Sequence, residues 1–237
     1  KITNSDTLTV LNTGDDGITV SGIIDNSGDA IITNQSGDVN VLGTIANTNG
    51  KLNLTNHGGA LNVATSGQIT NNDTLKIWST GNGGTTVNGS ISNDGGNAVV
   101  QNDNGSFAIN GSIQNDGGQL KVTNNGDTLT VAKNGLIQNN GDLDILNTGD
   151  GGFVNAGTIT SVGNLDITNT GAGGFVTTGT ITNANGSMTL TNKDGSMRVG
   201  GTVTGNNTDT ITIANESENG GLTLDGTVTN VSGDVDI

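Results

Sequence analysis

Apolar and polar residues alternate along this chain in short bursts, and the bursts recur ten times. The first element of each copy carries an aliphatic pair two residues apart: Leu8/Val10, Ala30/Ile32, Leu52/Leu54, Leu75/Ile77, Ala98/Val100, Leu120/Val122, Leu143/Ile145, Leu165/Ile167, Met188/Leu190 and Ile211/Ile213. Polar residues such as Thr9, Asn53, Lys76, Lys121, Asp144 and Asp166 lie between them. Alternation of period 2 describes a strand with one face buried and one exposed. A second element repeats the pattern in Ile18/Val20, Val39/Val41, Leu61/Val63, Phe107/Ile109, Leu129/Val131, Met197/Val199 and Leu222/Leu224. A third, shorter element reads T-I-x-N, with aliphatics at Ile24, Ile45, Ile69, Ile91, Ile113, Ile137, Ile159, Ile181, Val203 and Val228. No stretch shows a 3.6-residue period, and Gly, Asn and Thr are poor helix formers.

Each copy is therefore three short strands and three turns. One copy cannot bury its aliphatic row alone. Stacked copies can, by pairing every strand with its equivalent one coil away. The expected fold is all-β: a right-handed parallel β-helix of about ten coils, 22 or 23 residues each. The right hand is expected from the handedness of parallel crossovers.

Two residue columns keep the period. An Asn closes the first strand at Asn12, Asn34, Asn56, Asn102, Asn124, Asn147, Asn169, Asn192 and Asn215, with Ser79 in the fourth copy. A carboxamide both donates and accepts, so equivalent Asn residues can hydrogen-bond up the stack. A second Asn column follows the third strand, from Asn26 to Asn230, broken by Ser161 and Gly205. After the second strand stands Gly22, Gly43, Gly67, Gly89, Gly111, Gly135, Gly157, Gly179, Gly201 or Gly226. These corner glycines are expected to serve either a positive φ or a close backbone approach.

Composition narrows the class. The chain has 41 Gly and no Pro, which excludes collagen. Low aromatic content and a net charge of −15 favour disorder, but the strict register of the aliphatics argues against it. Twenty-two acidic against seven basic residues exclude nucleic acid and anionic membrane as partners. Cys is absent, and so is any apolar run long enough to span a bilayer. Residues 1–5 match a third strand and Asp234–Ile237 begin another first strand. Neither end has a cap, so residues 1–237 are expected to be a single array belonging to a longer chain.

Candidate chemistry is sparse. Even coil length leaves little loop material for a catalytic groove; only the turn from Asn215 to Gly221 is longer. Asp144 and Asp166 are equivalent in adjacent coils and could pair as glycosidase carboxylates, but two exposed charges are the simpler reading. Arg198, the sole Arg, lies more than one coil away. His57 sits alone in a turn. Trp78 takes an outward position beside Lys76, where a ring can stack on a sugar. Phe153 and Phe175 occupy equivalent places and are expected to stack. We expect no catalytic, cofactor-binding or metal site.

The repeats N-T-G-D-G-G-F-V-N-A-G-T-I-T (147–160) and N-T-G-A-G-G-F-V-T-T-G-T-I-T (169–182) resemble the shafts of large bacterial surface adhesins, those of the filamentous-haemagglutinin-like family of two-partner secretion and of autotransporter passengers. The resemblance implies a non-catalytic, extracellular shaft that mediates attachment, aggregation or biofilm. Its implied partners are a host or neighbouring-cell surface, including glycans, and sister copies of the chain. The alternatives are a structural protein of a surface layer, matrix or fibre, and, behind it, a carbohydrate-active β-helix such as a tailspike or polysaccharide lyase.

Overall fold

The computed structural model describes residues 1–237 and is a parallel β-solenoid of about 11 turns without a helix. No helix is long and apolar enough to cross a membrane. The second strands, from Ile18–Val20 to Leu222–Leu224, form one 10-stranded parallel sheet. First and third strands together form a 20-stranded sheet, likewise parallel in every pairing. Pairing is in register between copies. Leu52 faces Leu75, which faces Ala98; Ile69 faces Ile91, which faces Ile113. The ends join the same pattern, with Ile2 opposite Ile24 and Val235 opposite Ile211.

Register is what makes the core. Because side chains alternate across each strand, in-phase stacking directs one aliphatic row inward in every copy. The result is a single continuous cluster of 41 buried apolar residues running from Val20 to Ile213. The aromatics fit the same rows: Phe153 packs on Phe175 with ring centroids 4.9 Å apart and planes tilted by 44° rather than stacked.

Three second strands depart from apolar alternation. Thr85, Asn155 and Thr177 occupy inward positions, in Thr85–Val87, Phe153–Asn155 and Phe175–Thr177, and all three are buried. Asn155 Nδ2 donates to Thr177 Oγ1 at 3.1 Å, and its Oδ1 accepts from the Gly157 amide at 3.1 Å. The polar pair thus satisfies itself inside the core.

The expectation of three short strands per copy fails late in the array. Third and first strands merge into continuous strands over Thr180–Asn192 and Thr202–Asn215. They pair from Thr180↔Thr202 to Asn192↔Asn215 with a register shift between Gly186 and Met188. The segment after Gly205 is one residue longer than its partner, and a bulge absorbs the extra residue.

The corner glycines separate the two roles offered for them. None has a positive φ. Positive φ belongs instead to turn glycines before the first and second strands, such as Gly50, Gly118, Gly152 and Gly174. At the corners the constraint is space. A Cβ on Gly89 would overlap the Gly67 carbonyl oxygen, and one on Gly111 would overlap that of Gly89. Gly22 has nothing within 4 Å.

Candidate functional site

Three features of the surface and its supporting polar interior carry chemistry. The first is the pair of Asn columns. Asn12 Nδ2 donates to Asn34 Oδ1 at 2.7 Å, and Asn34 in turn to Asn56 at 2.8 Å. After Ser79 the column resumes from Asn102 through Asn124, Asn147, Asn169 and Asn192 to Asn215, each step at 2.7–2.8 Å. The second column runs unbroken from Asn4 through Asn26, Asn47, Asn71, Asn93 and Asn115 to Asn139. In every step Nδ2 of one coil donates to Oδ1 of the next. The second Nδ2 hydrogen turns to a carbonyl of its own turn, as from Asn56 to Gly59 at 2.9 Å. Most of the buried carboxamides therefore hold the next coil and close their own turn; Asn71 makes only the first contact, and Asn56, opposite Ser79, only the second.

The breaks show what each column needs. Ser79 leaves its own Oγ without a partner, but the Thr85 hydroxyl donates to Asn102 Oδ1 at 2.9 Å and replaces the missing amide. Gly205 has no side chain to give. The bulge carries Thr208 into that space, where a Cβ on Gly205 would lie 2.6 Å from the Thr208 Cβ, and Thr208 Oγ1 bonds Asn183 O at 3.3 Å. The bonds that would reach Asn183 Oδ1 from position 161 and Asn230 Oδ1 from position 205 are lost, and both oxygens lack partners. These compensating threonines were not legible as ladder members, because neither falls on the Asn period.

The second feature surrounds Trp78. Its Nε1 donates to Asp103 Oδ2 at 2.6 Å, Lys76 Nζ lies 4.8 Å from the ring centroid, and His57 meets it edge-on at 6.0 Å. His57 Nδ1 is 2.9 Å from Thr80 Oγ1. Burial pushes the Asp103 carboxyl up, but hydrogen bonds from Gln101, Trp78 and Asn125 outweigh it and hold its pKa below the usual value. Trp78 is thus tied down by its neighbours, with a cation over one face.

The remaining carboxylates are dispersed. Asp144 stands opposite Asp166 and forms an ion pair with Lys121 at 3.4 Å. Arg198 pairs with Asp225 at 2.6 Å, remote from Asp144. Glu216 and Glu218 are exposed in the long turn, where Asn215 Nδ2 donates to Gly220 O at 3.0 Å. No group of three or more His, Cys, Asp or Glu side chains is placed to hold a metal ion.

The third feature is a notch of ≈ 360 Å³ on the ridge between second and third strands. In most copies this corner is short, as in Val87-Asn88-Gly89. In two it is longer by two residues: Val63-Ala64-Thr65-Ser66-Gly67 and Val131-Ala132-Lys133-Asn134-Gly135. Both form tight turns, closed by Gly67 N to Ala64 O and Gly135 N to Ala132 O, each at 2.7 Å. Two short corners lie between them, so Thr65 and Asn134 of the turns flank a floor of Asn88-Gly89-Ser90 and Gly111-Ser112. The turns are three coils apart, about 14 Å at a strand spacing of ~4.8 Å. The surrounding face is also free of acid. From Val39 to Gly205 the second strands, their corners and the third strands carry no Asp or Glu, and only Lys133 and Arg198 are charged. Comparison with known proteins gives no family for this chain: no protein-family model, curated protein or solved structure matches it.

Proposed function

We propose that the chain is a shaft segment of an extracellular bacterial adhesin, holding a binding region away from a cell surface and acting mechanically. The observation that carries this reading is the continuity of the array. In-register parallel strands and one unbroken core extend along its length with almost no inserted loop. At ~4.8 Å per coil, about 11 turns give a rod on the order of 50 Å. Such a body transmits position and load, and its short turns offer few sites for proteolysis. Acidic residues on the first strands and turns support solubility at a crowded surface.

Antibodies raised against the purified chain test the reading. They are expected to decorate filaments projecting from intact producing cells in electron microscopy, and to reduce attachment. Labelling confined to the cell interior would overturn it. Regular lateral sheets of label would favour the surface-layer or matrix alternative, and depolymerisation of a polysaccharide by the purified chain would favour the carbohydrate-active one.

A further inference from the structure

We infer that the notch between the Ala64–Gly67 and Ala132–Gly135 turns is a binding site for a neutral polysaccharide. The inference stands on the notch itself and does not require the adhesin reading. Its floor and walls present hydroxyls and carboxamides whose hydrogen-bonding capacity is unspent. The side chains of Thr65, Gln68, Ser90, Ser112 and Asn134 bond to no other protein group, unlike the ladder asparagines. Asn88 Oδ1 accepts from Asn110 Nδ2 at 2.8 Å, which fixes the floor amide and leaves Asn88 Nδ2 without a protein partner. Hydroxyls and carboxamides each offer donors and acceptors, matching sugar hydroxyls, which do the same.

The geometry disfavours other polymers. A peptide adding as a strand needs an open sheet edge, and every strand at the notch is already paired on both sides. A peptide held by its side chains needs apolar pockets; Leu136 is the one apolar residue lining the notch. A polyanion needs clustered cations, and Lys133 stands alone there against a net charge of −15. A neutral chain meets neither repulsion nor a demand for charge. The glycines of the floor let the polymer backbone approach closely.

The test is affinity electrophoresis of the purified chain through gels containing dextran or mannan, with hyaluronan and alginate as anionic comparators. A neutral probe is expected to retard the protein, and the anionic ones are not. The double variant Ser90→Asp/Ser112→Asp puts two carboxylates on the floor and is expected to weaken binding at least tenfold. Asn53→Asp, on a first strand, should leave it unchanged. Melting curves report whether the variants fold; if the double variant does not, Thr65→Asp on the wall takes its place. Absence of retardation by either neutral probe, or unaltered binding by a folded floor variant, overturns the inference. So does concentration-dependent dimerisation in sedimentation that the floor variant abolishes, which would make a second copy the occupant.

Discussion

A single side chain in this solenoid does two jobs, and its loss is felt twice. Asn124 accepts from Asn102, donates to Asn147 at 2.7 Å and donates to the Asp127 carbonyl at 3.0 Å. Asn124→Val leaves these buried partners unmet, at on the order of 2–4 kcal/mol. We expect a clear drop in the melting temperature. Thr85→Val removes the only donor to Asn102 Oδ1 and should cost about 1–2 kcal/mol, although it is isosteric and adds apolar surface. Outward Thr130→Val is the control and should change stability by less than about 0.5 kcal/mol. Chemical denaturation of the three variants measures the contrast; a neutral Thr85→Val would remove the compensating role. Asp103 gives a pH signature. Its folded-state pKa lies below the unfolded one, so its stabilisation is complete above the unfolded value of ~3.9 and is lost as pH falls through the folded value. The stability difference between wild type and Asp103→Asn should therefore be present at neutral pH and shrink below about pH 4.

At the level of the element, strands are interchangeable and corners are not. A leucine here and a phenylalanine there occupy the same row, because at most inward positions the core asks for an apolar side chain at the right step; Thr85, Asn155 and Thr177 are the polar exceptions. The corner glycine is held to a tighter condition, since the carbonyl of the coil below occupies the place of its Cβ. Gly111→Ala should cost about 1–3 kcal/mol or distort the local stack. Gly22→Ala, where the space is open, should be close to neutral. Equal effects of the two substitutions on the unfolding midpoint would contradict the steric account. The long corners at 64–67 and 132–135 escape a count of coil length for a physical reason. The same copies use the shorter forms of their other two turns, so the added residues cancel before the next Asn. A stack demands equal return of the chain to each column, not equal corners.

Across the whole molecule, each coil touches only its neighbours, so stability is a sum of local terms and coil interfaces. Hydrogen exchange should be slowest in the middle coils and faster in the last, where Leu222 and Leu224 are already partly exposed. Uniform protection along the array would contradict this. The excess of carboxylates adds repulsion along the rod. Raising salt from about 0.01 M to 0.15 M shortens the screening length from ~30 Å to ~8 Å and should raise the melting temperature. Charge is also unevenly placed: the acid-free second- and third-strand face is the side on which a neutral partner can lie without crossing the acidic one.

The repeat alone determined the architecture, because side-chain alternation and a fixed period leave stacking as the only way to bury ten aliphatic rows. The Asn columns were visible for the same reason, since a ladder must recur at the interval of the coil. Only the tertiary structure decided which role the corner glycines play, as close approach depends on the coil below and not on the residue's neighbours in sequence. It alone placed Thr85 beneath Asn102 and Thr208 in the space left by Gly205, and brought Trp78 to Asp103. It also raised two distant turns as walls of one notch. Apart from the glycines, each of these brings in a residue off the repeat's beat, where periodicity is silent and only the three-dimensional return of the chain makes neighbours.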